Sequence, residues 1–158
     1  MRKLTGAADR PLLCTALKPL GLSAPELARQ AYQYALGGID IVKDDHSLGN
    51  QQFAPFEQRM SLCSEAVNRA NRETGFACLY FPSLTASPEK MISTAIYARN
   101  SGAGGLLISP GIAGFDVMRM LADSDQVDVP IMSHPALQGT FVTDPDHGIA
   151  HGPLFGQI

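Results

Sequence analysis

The sequence has no tryptophan, few charged residues and no cluster of basic residues. Twelve lysines and arginines stand against 15 aspartates and glutamates, which gives a formal net charge of -3. Nucleic acids and acidic membrane surfaces select for concentrated positive charge. We therefore expect no nucleic acid and no membrane as partners, and a small molecule is the expected ligand.

Long apolar runs and a targeting signal are also missing. Proline, glycine or a charged residue interrupts every apolar stretch before it reaches the roughly 18 residues that span a bilayer. Residues 1–9 contain no apolar core of the kind that a secretory signal requires. We therefore expect a cytoplasmic protein.

Cysteine is scarce and odd in number. Cys14, Cys63 and Cys78 lack metal-ligand spacing and lie in apolar segments. This pattern excludes a disulfide framework or a zinc cluster and predicts three buried free thiols.

What is present is the composition of one folded domain. Apolar residues make up 45% of the 158 residues, which suffices for a buried core. A complete (β/α)8 barrel needs about 250 residues. Length alone therefore permits one domain, smaller than a whole barrel.

Short apolar segments alternate five times with helical patterns. A capping box at Ser23 and Glu26 marks the first helix. Five buried strands separated by helices favour a parallel sheet, hence an α/β fold. The polar segment 138–158 predicts a loop. The predicted strands are 12–17, 39–43, 78–81, 105–109 and 129–133, and the predicted helices are 24–36, 56–74, 88–99 and 115–122.

Polar side chains follow these strands, at the edge where barrels and open α/β sheets both keep their active sites. They are Lys18, residues 43–46, residues 83–85, Ser109 and His134. No glycine-rich dinucleotide fingerprint or phosphate loop occurs in the right context. The pattern by itself does not separate a barrel from an open sheet.

Lys43 and Asp45 alternate along one predicted strand, so their side chains share a face. Burial disfavours a lysine ammonium, and the neutral amine reacts with carbonyls or with CO2. A lysine carbamate beside Asp45 would suit Mg2+. Two alternatives are a salt-bridged, solvated strand exit and a Schiff-base lysine.

Residues 37–46, Gly-Gly-Ile-Asp-Ile-Val-Lys-Asp-Asp-His, resemble the metal-site motif of the RuBisCO large-chain superfamily, Gly-Gly-x-Asp-x-x-Lys-Asp-Asp followed by Glu. Residues 15–23 resemble its Lys-Pro-Lys-x-Gly-Leu motif at the end of the first barrel strand. The resemblance covers about residues 10–155. It implies that residues 1–158 are a partial (β/α)8 TIM barrel, about five βα units of the C-terminal catalytic domain of RuBisCO.

The resemblance also implies roles for individual residues. Carbamylated Lys43, Asp45 and His46 would bind Mg2+, which stabilises an enediolate of a phosphorylated ketose or keto-sugar acid. Lys18 would be a catalytic acid or base if one residue is deleted after Pro19, and Lys43 would also be catalytic. The two substrate contacts would be Ser83 and His134, and a hydrogen-bonded structural histidine is the alternative for the second.

Four departures from the family pattern bear on the activity. His46 replaces Glu, Leu20 replaces a second Lys, Pro135 replaces Arg and Ser83 replaces Asn. Losing the Arg removes a bidentate phosphate donor, and imidazole is a poorer Mg2+ ligand than carboxylate. The departures favour a RuBisCO-like enolase, isomerase or decarboxylase over the alternative, ribulose-bisphosphate carboxylase.

Assembly is the last implication of the resemblance. Members form homodimers. The later strands of the same barrel and an N-terminal domain from the partner subunit complete the site. We therefore expect residues 1–158 alone not to turn over substrate. The other hypothesis is a non-catalytic remnant that binds a phosphorylated metabolite or a full-length relative.

Overall fold

The computed structural model describes residues 1–144 and 146–156. Strands and helices alternate along the chain, as in an α/β protein. The strands are β1 (Cys14–Ala16), β2 (Ile41–Lys43), β3 (Leu79–Phe81), β4 (Leu106–Ile108) and β5 (Ile131–Ser133). The helices are α1 (Arg2–Thr5), α2 (Ala24–Leu36), α3 (Phe56–Thr74), α4 (Pro88–Asn100), α5 (Pro110–Ala113), α6 (Phe115–Ala122) and α7 (His151–Phe155), and a 3-10 turn covers Gln138–Phe141.

All strand pairs are parallel and follow the chain order. β1, β2 and β3 form one sheet, and β4 pairs with β5 in a second. A bridge between Ser83 and Leu107 joins the two sheets, with a hydrogen bond of 2.8 Å from the Leu84 amide to the Leu107 carbonyl. The result is one five-stranded parallel array that does not close into a barrel within the described residues.

The four long helices confirm the sequence prediction. The Glu26 carboxylate accepts hydrogen bonds from the Ser23 amide, at 2.8 Å, and from the Ser23 hydroxyl, at 2.6 Å, and so fixes the start of α2. Gly75 ends α3 with a left-handed φ of 75°. The strands lie where predicted, but each has only three residues and is shorter than predicted. The prediction was too long because an apolar pattern marks buried residues and not the residues that pair with a neighbouring strand.

The prediction of a loop over 138–158 was wrong for α7 and for the 3-10 turn. Sequence reasoning also missed α1 and α5. Each of these elements has four or five residues, too few to show helical periodicity.

The sheet has two differently covered faces. Val42, Tyr80, Leu106 and Ile108 point to the helices and belong to the main core with Met60, Cys63 and Met91. The opposite face carries Ile41, Phe81 and Leu107 next to Lys43, because side chains alternate along a strand.

Two of the three cysteines are buried as predicted. Burial raises the pKa of Cys63 and of Cys78 to about 12 in each case. The expectation was wrong for Cys14, which is exposed. It lies on β1, which pairs with β2 alone and forms the edge of its sheet.

Among the residues that the structure describes, no helix is both long enough and apolar enough to cross a membrane. The longest, α3, has 19 residues and exposes polar side chains along one side.

Candidate active site at the carboxyl ends of the strands

The polar residues that follow β1, β2 and β5 come together at one end of the sheet. Lys18 reaches across from the end of β1 and forms an ion pair with Asp45 after β2. His46 stacks on His134, which follows β5, with ring centroids 4.0 Å apart and planes 14° from parallel. The structure thus brings together five of the six residues that the sequence singled out.

The histidine stack shows how strongly the sheet curves. Strands β3 and β4 lie between β2 and β5, and three strand spacings in a flat sheet would amount to about 14 Å. Rings carried just beyond β2 and β5 nevertheless touch. The array therefore bends toward the face that carries Lys43, as in a barrel wall.

Asp45 is a buried, ionised carboxylate with only 3% of its surface exposed. One oxygen accepts from the Lys18 ammonium, and the other accepts from the amide, at 2.9 Å, and the hydroxyl of Ser47. Burial opposes ionisation, but the hydrogen bonds from Lys18 and Ser47 outweigh it and hold the pKa of Asp45 well below its usual value. Asp45 therefore presents a permanent negative charge.

Lys18 is held by its backbone while its side chain stays 63% exposed. Gln30 on α2 accepts from the Lys18 amide at 3.1 Å and donates to the Lys18 carbonyl. The Lys18–Pro19 peptide bond is cis. Sequence reasoning missed Gln30, because a glutamine in an amphipathic helix carries no signal of its own.

Lys43 lies half-buried on the face opposite the helices, beside Ala16 and Phe81 in the strand register. Its ammonium donates to the Asp44 carbonyl at 3.2 Å. It is close enough to His134 to contribute to the lowered pKa of that imidazole, for which burial is the largest cause and His46 the next.

Asp44 is fully buried and does not face the site. Its carboxylate accepts from Arg59 at 2.9 Å, from the Tyr80 hydroxyl at 2.7 Å and from the Ser83 amide at 2.9 Å. Desolvation raises the pKa of Asp44. The charged Arg59 guanidinium and the hydrogen bonds from Ser83 and Tyr80 act in the opposite direction, because they stabilise the ionised carboxylate. Asp44 and Asp45 are salt-bridged, as in the alternative of a charged strand exit, but they are buried and not solvated.

Arg59 is fully buried, with its guanidinium also donating to the carbonyls of Ala54, at 2.7 Å, and Gly49, at 2.9 Å. Sequence reasoning missed this residue. A signal was present, because Arg59 follows Phe56 by three positions and so lies on the apolar stripe of α3. A charged residue on such a stripe indicates a buried ion pair.

The remaining predicted residues differ in exposure. His134 accepts from the Ala136 amide at its Nδ1, at 3.2 Å, which leaves the proton of the neutral ring on Nε2. The Nδ1 of His46 lies 3.5 Å from the nearer Asp45 oxygen. Ser83 is buried behind the site, where its hydroxyl donates to the His46 carbonyl at 3.4 Å. A substrate contact for Ser83 stays a prediction.

A metal ion would find few protein ligands here. Among residues 1–144 and 146–156, no three histidine, cysteine, aspartate or glutamate side chains are grouped so as to hold one. Asp45, His46 and a carbamylated Lys43 would supply two oxygen-bearing groups and one imidazole. This set fits Mg2+, which is bound through one or two carboxylates and completed by water and substrate oxygens.

Parallel βα units in chain order, a curved sheet and a lysine–carboxylate cluster at the strand ends define an α/β domain whose polar residues gather at the carboxyl ends of its strands. The protein belongs to the family of the ribulose bisphosphate carboxylase large chain, catalytic domain, which matches residues 1–153. It is a RuBisCO-like protein, as the motifs at 15–23 and 37–46 predicted.

Individual relatives support this assignment. The protein is 36% identical, over its full length, to the 2,3-diketo-5-methylthiopentyl-1-phosphate enolase of Bacillus velezensis and covers 39% of it. It is 36% identical, over 98% of its length, to the 5-methylthioribulose-1-phosphate isomerase of Rhodospirillum rubrum and covers 41% of it. The crystal structure of a RuBisCO-like protein from Alicyclobacillus acidocaldarius superposes with a TM-score of 0.91, at 33% identity over 97% of this protein and 39% of that one. The sequence thus spans about two fifths of the length of these relatives.

Proposed function

We propose that this protein contributes the lysine and metal-binding part of a RuBisCO-like active site, which enolises a phosphorylated ketose or keto-sugar acid with Mg2+. The observation that carries the proposal is the Lys18–Asp45 ion pair between the ends of β1 and β2, beside Lys43 and His46. Enolase and isomerase reactions begin with removal of a proton next to a carbonyl group, and decarboxylation reaches the same kind of enediolate by loss of CO2. Ribulose-bisphosphate carboxylation is the alternative that Pro135 and Leu20 disfavour.

Mg2+ would be held by Asp45, by Lys43 after its amine has added CO2, and by His46. When bound, it would withdraw electrons from the substrate's carbonyl and hydroxyl oxygens and so acidify the neighbouring C–H bond. Asp45 is suited to this role because it is ionised without needing the metal. Its oxygens now accept from Lys18 and Ser47, so a cation would compete with the Lys18 ammonium.

Lys18 is the group in position to move a proton. Its ammonium in the Asp45 ion pair can donate to substrate, and it can accept a proton only after losing its own. Gln30 fixes the backbone from which this side chain extends. His134, with its Nε2–H free of the Ala136 contact, is suited to donate a hydrogen bond to a substrate oxygen.

The first experiment tests Lys43 directly. The protein is incubated with 13C-bicarbonate and Mg2+, and a carbamate carbon signal is sought by NMR. We expect the signal in the wild type and in Lys90→Met, which removes an exposed lysine on α4, and its loss in Lys43→Met. A signal that survives Lys43→Met would contradict the proposal.

Two further outcomes discriminate the alternatives. Borohydride trapping of a ketose on Lys43, without a carbamate signal, would indicate a Schiff-base lysine. Stabilisation by a sugar phosphate with neither kind of trapping would favour a non-catalytic binding protein. The proposal includes a homodimer in which the partner subunit completes the site. Incorporation of solvent deuterium into the substrate measures turnover.

A further inference from the structure

A cavity of about 150 Å3 lies at the amino ends of β3 and β4, at the opposite end of the sheet from the Lys18–Asp45 cluster. One wall is a face of α3, and the other walls are residues 77–80 and the turn that follows α4. Barrels and open α/β sheets keep their active sites at the carboxyl ends of their strands. The cavity therefore lies outside the catalytic region.

Three polar residues of α3 line this cavity: Ser64, Asn68 and Asn71. Residues three and four positions apart are neighbours on a helix surface, so these three form one polar stripe. The Asn71 side chain is bonded at both of its polar atoms, because it donates to the Cys78 carbonyl and accepts from the Cys78 amide, each at 2.9 Å. The partners of the other two residues are not given by the strand.

The Ser64 hydroxyl is buried without a protein partner. Ser64 is only 4% exposed, and its Oγ forms no hydrogen bond within residues 1–144 and 146–156. A serine inside a helix can donate to the carbonyl four residues earlier, here that of Met60, but this one does not. Since an unpaired buried hydroxyl costs free energy, such groups in native proteins bond either to protein or to ordered water.

Gly102 keeps the space in front of this hydroxyl open. It follows α4 with a left-handed φ of 93°, and a Cβ built on it would lie 3.7 Å from both the Ser64 Oγ and the Asn68 Nδ2. The two polar atoms therefore border the same small space, slightly beyond hydrogen-bond distance from one point within it. A single water molecule needs only about 10–15 Å3 and two or more polar partners. The cavity meets both conditions.

We propose that this cavity binds an ordered water molecule, which hydrogen-bonds the Ser64 hydroxyl and the Asn68 side-chain amide. The residues that line the cavity include no aspartate, glutamate, lysine or arginine, so the lining suits a small neutral ligand and not an ion. The water fills the contact between α3 and the turn after α4. It satisfies Ser64 as Cys78 satisfies Asn71, and it does not depend on the proposed enolisation.

A high-resolution crystal structure tests the site directly. We expect a water molecule within about 3.2 Å of both the Ser64 Oγ and an Asn68 side-chain atom. A Ser64 hydroxyl that bonds the Met60 carbonyl or another protein atom would overturn the proposal, as would a dry cavity. In Ser64→Val, methyl groups replace the hydroxyl, and the water should be lost. A water that keeps its position in this variant is not held by Ser64 and would also overturn the proposal.

Two serines of α3 provide a second measurement, by thermal unfolding. Ser61→Ala changes an exposed position and records the gain in helix propensity alone. Ser64→Ala makes the same gain but loses the hydrogen bond to water, so it should melt about 2–4 °C below Ser61→Ala. A hydroxyl without any partner would give the reverse order, because its removal relieves an unpaired buried group. The reverse order, or equal melting temperatures, would overturn the proposal.

Discussion

Three consecutive residues at the end of β2 have different surroundings and therefore different roles. Lys43 is half-buried and faces the site, Asp44 is enclosed by three donors from α3 and from the end of β3, and Asp45 pairs with Lys18. Asp44 is fully buried and its carboxylate already accepts three hydrogen bonds, so a ligand in the site does not reach it. It instead fixes the loop from which Asp45 and His46 project.

Loss of the Asp44–Arg59 ion pair should be severe. Arg59→Met leaves a buried carboxylate without its counter-charge, so we expect the free energy of unfolding to fall by about 3–5 kcal/mol. Urea denaturation measures the change. Arg72→Met removes an exposed ion pair with Glu65 and should cost less than about 1 kcal/mol. Equal costs for the two variants would contradict this account.

The two hydrogen bonds between the Gln30 side chain and the Lys18 backbone should contribute less to the free energy of unfolding. Gln30→Leu removes two hydrogen bonds to one backbone unit, and we expect a loss of about 1–2 kcal/mol in unfolding free energy. Gln33→Leu, on the exposed side of the same helix, is the matched control and should be nearly neutral. If both variants retained wild-type stability, the hydrogen bonds between Gln30 and Lys18 would not stabilise the fold.

Sequence reasoning succeeded at this scale where residues follow strands, since parallel strands bring their carboxyl ends to one edge. It predicted that Lys18, Lys43, Asp45, His46, Ser83 and His134 lie at one edge, where all but the buried Ser83 come together, and the roles of these residues stay a prediction. It missed Gln30 and Arg59, because each reaches the site from a helix face. Which helix residue contacts which loop depends on packing, and local pattern does not specify packing.

At the scale of elements, the four long helices were predicted with nearly correct ends, the short helices α1, α5 and α7 were missed, and strands were predicted only by position. Helix ends carry local chemistry, such as Ser23 with Glu26 at α2 and Gly75 at α3. A strand end depends on its neighbour instead. Pairing with β2 continues past the end of β1, where the Leu17 amide donates to the Lys43 carbonyl at 2.9 Å. The four-residue α5, which carries Ile112, showed no periodicity at all.

Gly75 offers a test of this helix-end chemistry. A Cβ there would meet nothing within 4 Å, but φ is +75°. Gly75→Ala should therefore cost about 1–2 kcal/mol through backbone strain alone. Gly139→Ala adds a Cβ in equally open space without a left-handed φ, and we expect little change. Thermal or urea unfolding compares the pair, and a neutral Gly75→Ala would refute the strain argument.

At the scale of the whole molecule, one ion pair ties the N-terminal segment to the start of β2. Arg10 donates to both oxygens of Asp40, at 2.6 and 2.7 Å, and the Leu13 amide donates to the same carboxylate at 2.8 Å. The Arg10 hydrogen bonds lower the pKa of Asp40 despite its burial. The segment before β1 is therefore held to the sheet by charge.

This pair predicts a pH dependence. A folded-state pKa below the unfolded value means that the stabilisation is complete above about pH 4 and is lost as pH falls through the folded pKa. Asp40→Asn should lower the melting temperature at pH 7, and the difference from the wild type should shrink toward pH 2. Asp116→Asn, an aspartate on α6, is the control. A difference that stays constant with pH would contradict the prediction.

The contact between His46 and His134 has a consequence for the shape of the molecule in solution. The two rings touch across the concave side of an arc that the four strands from β2 to β5 form. Each ring shields the protons of the other, so their imidazole resonances gauge the bending of the arc. If the wall flattened, both resonances would return toward the positions of an isolated histidine. One pair of NMR signals thus reads out the curvature that places Lys18, Lys43 and Asp45 around a common point.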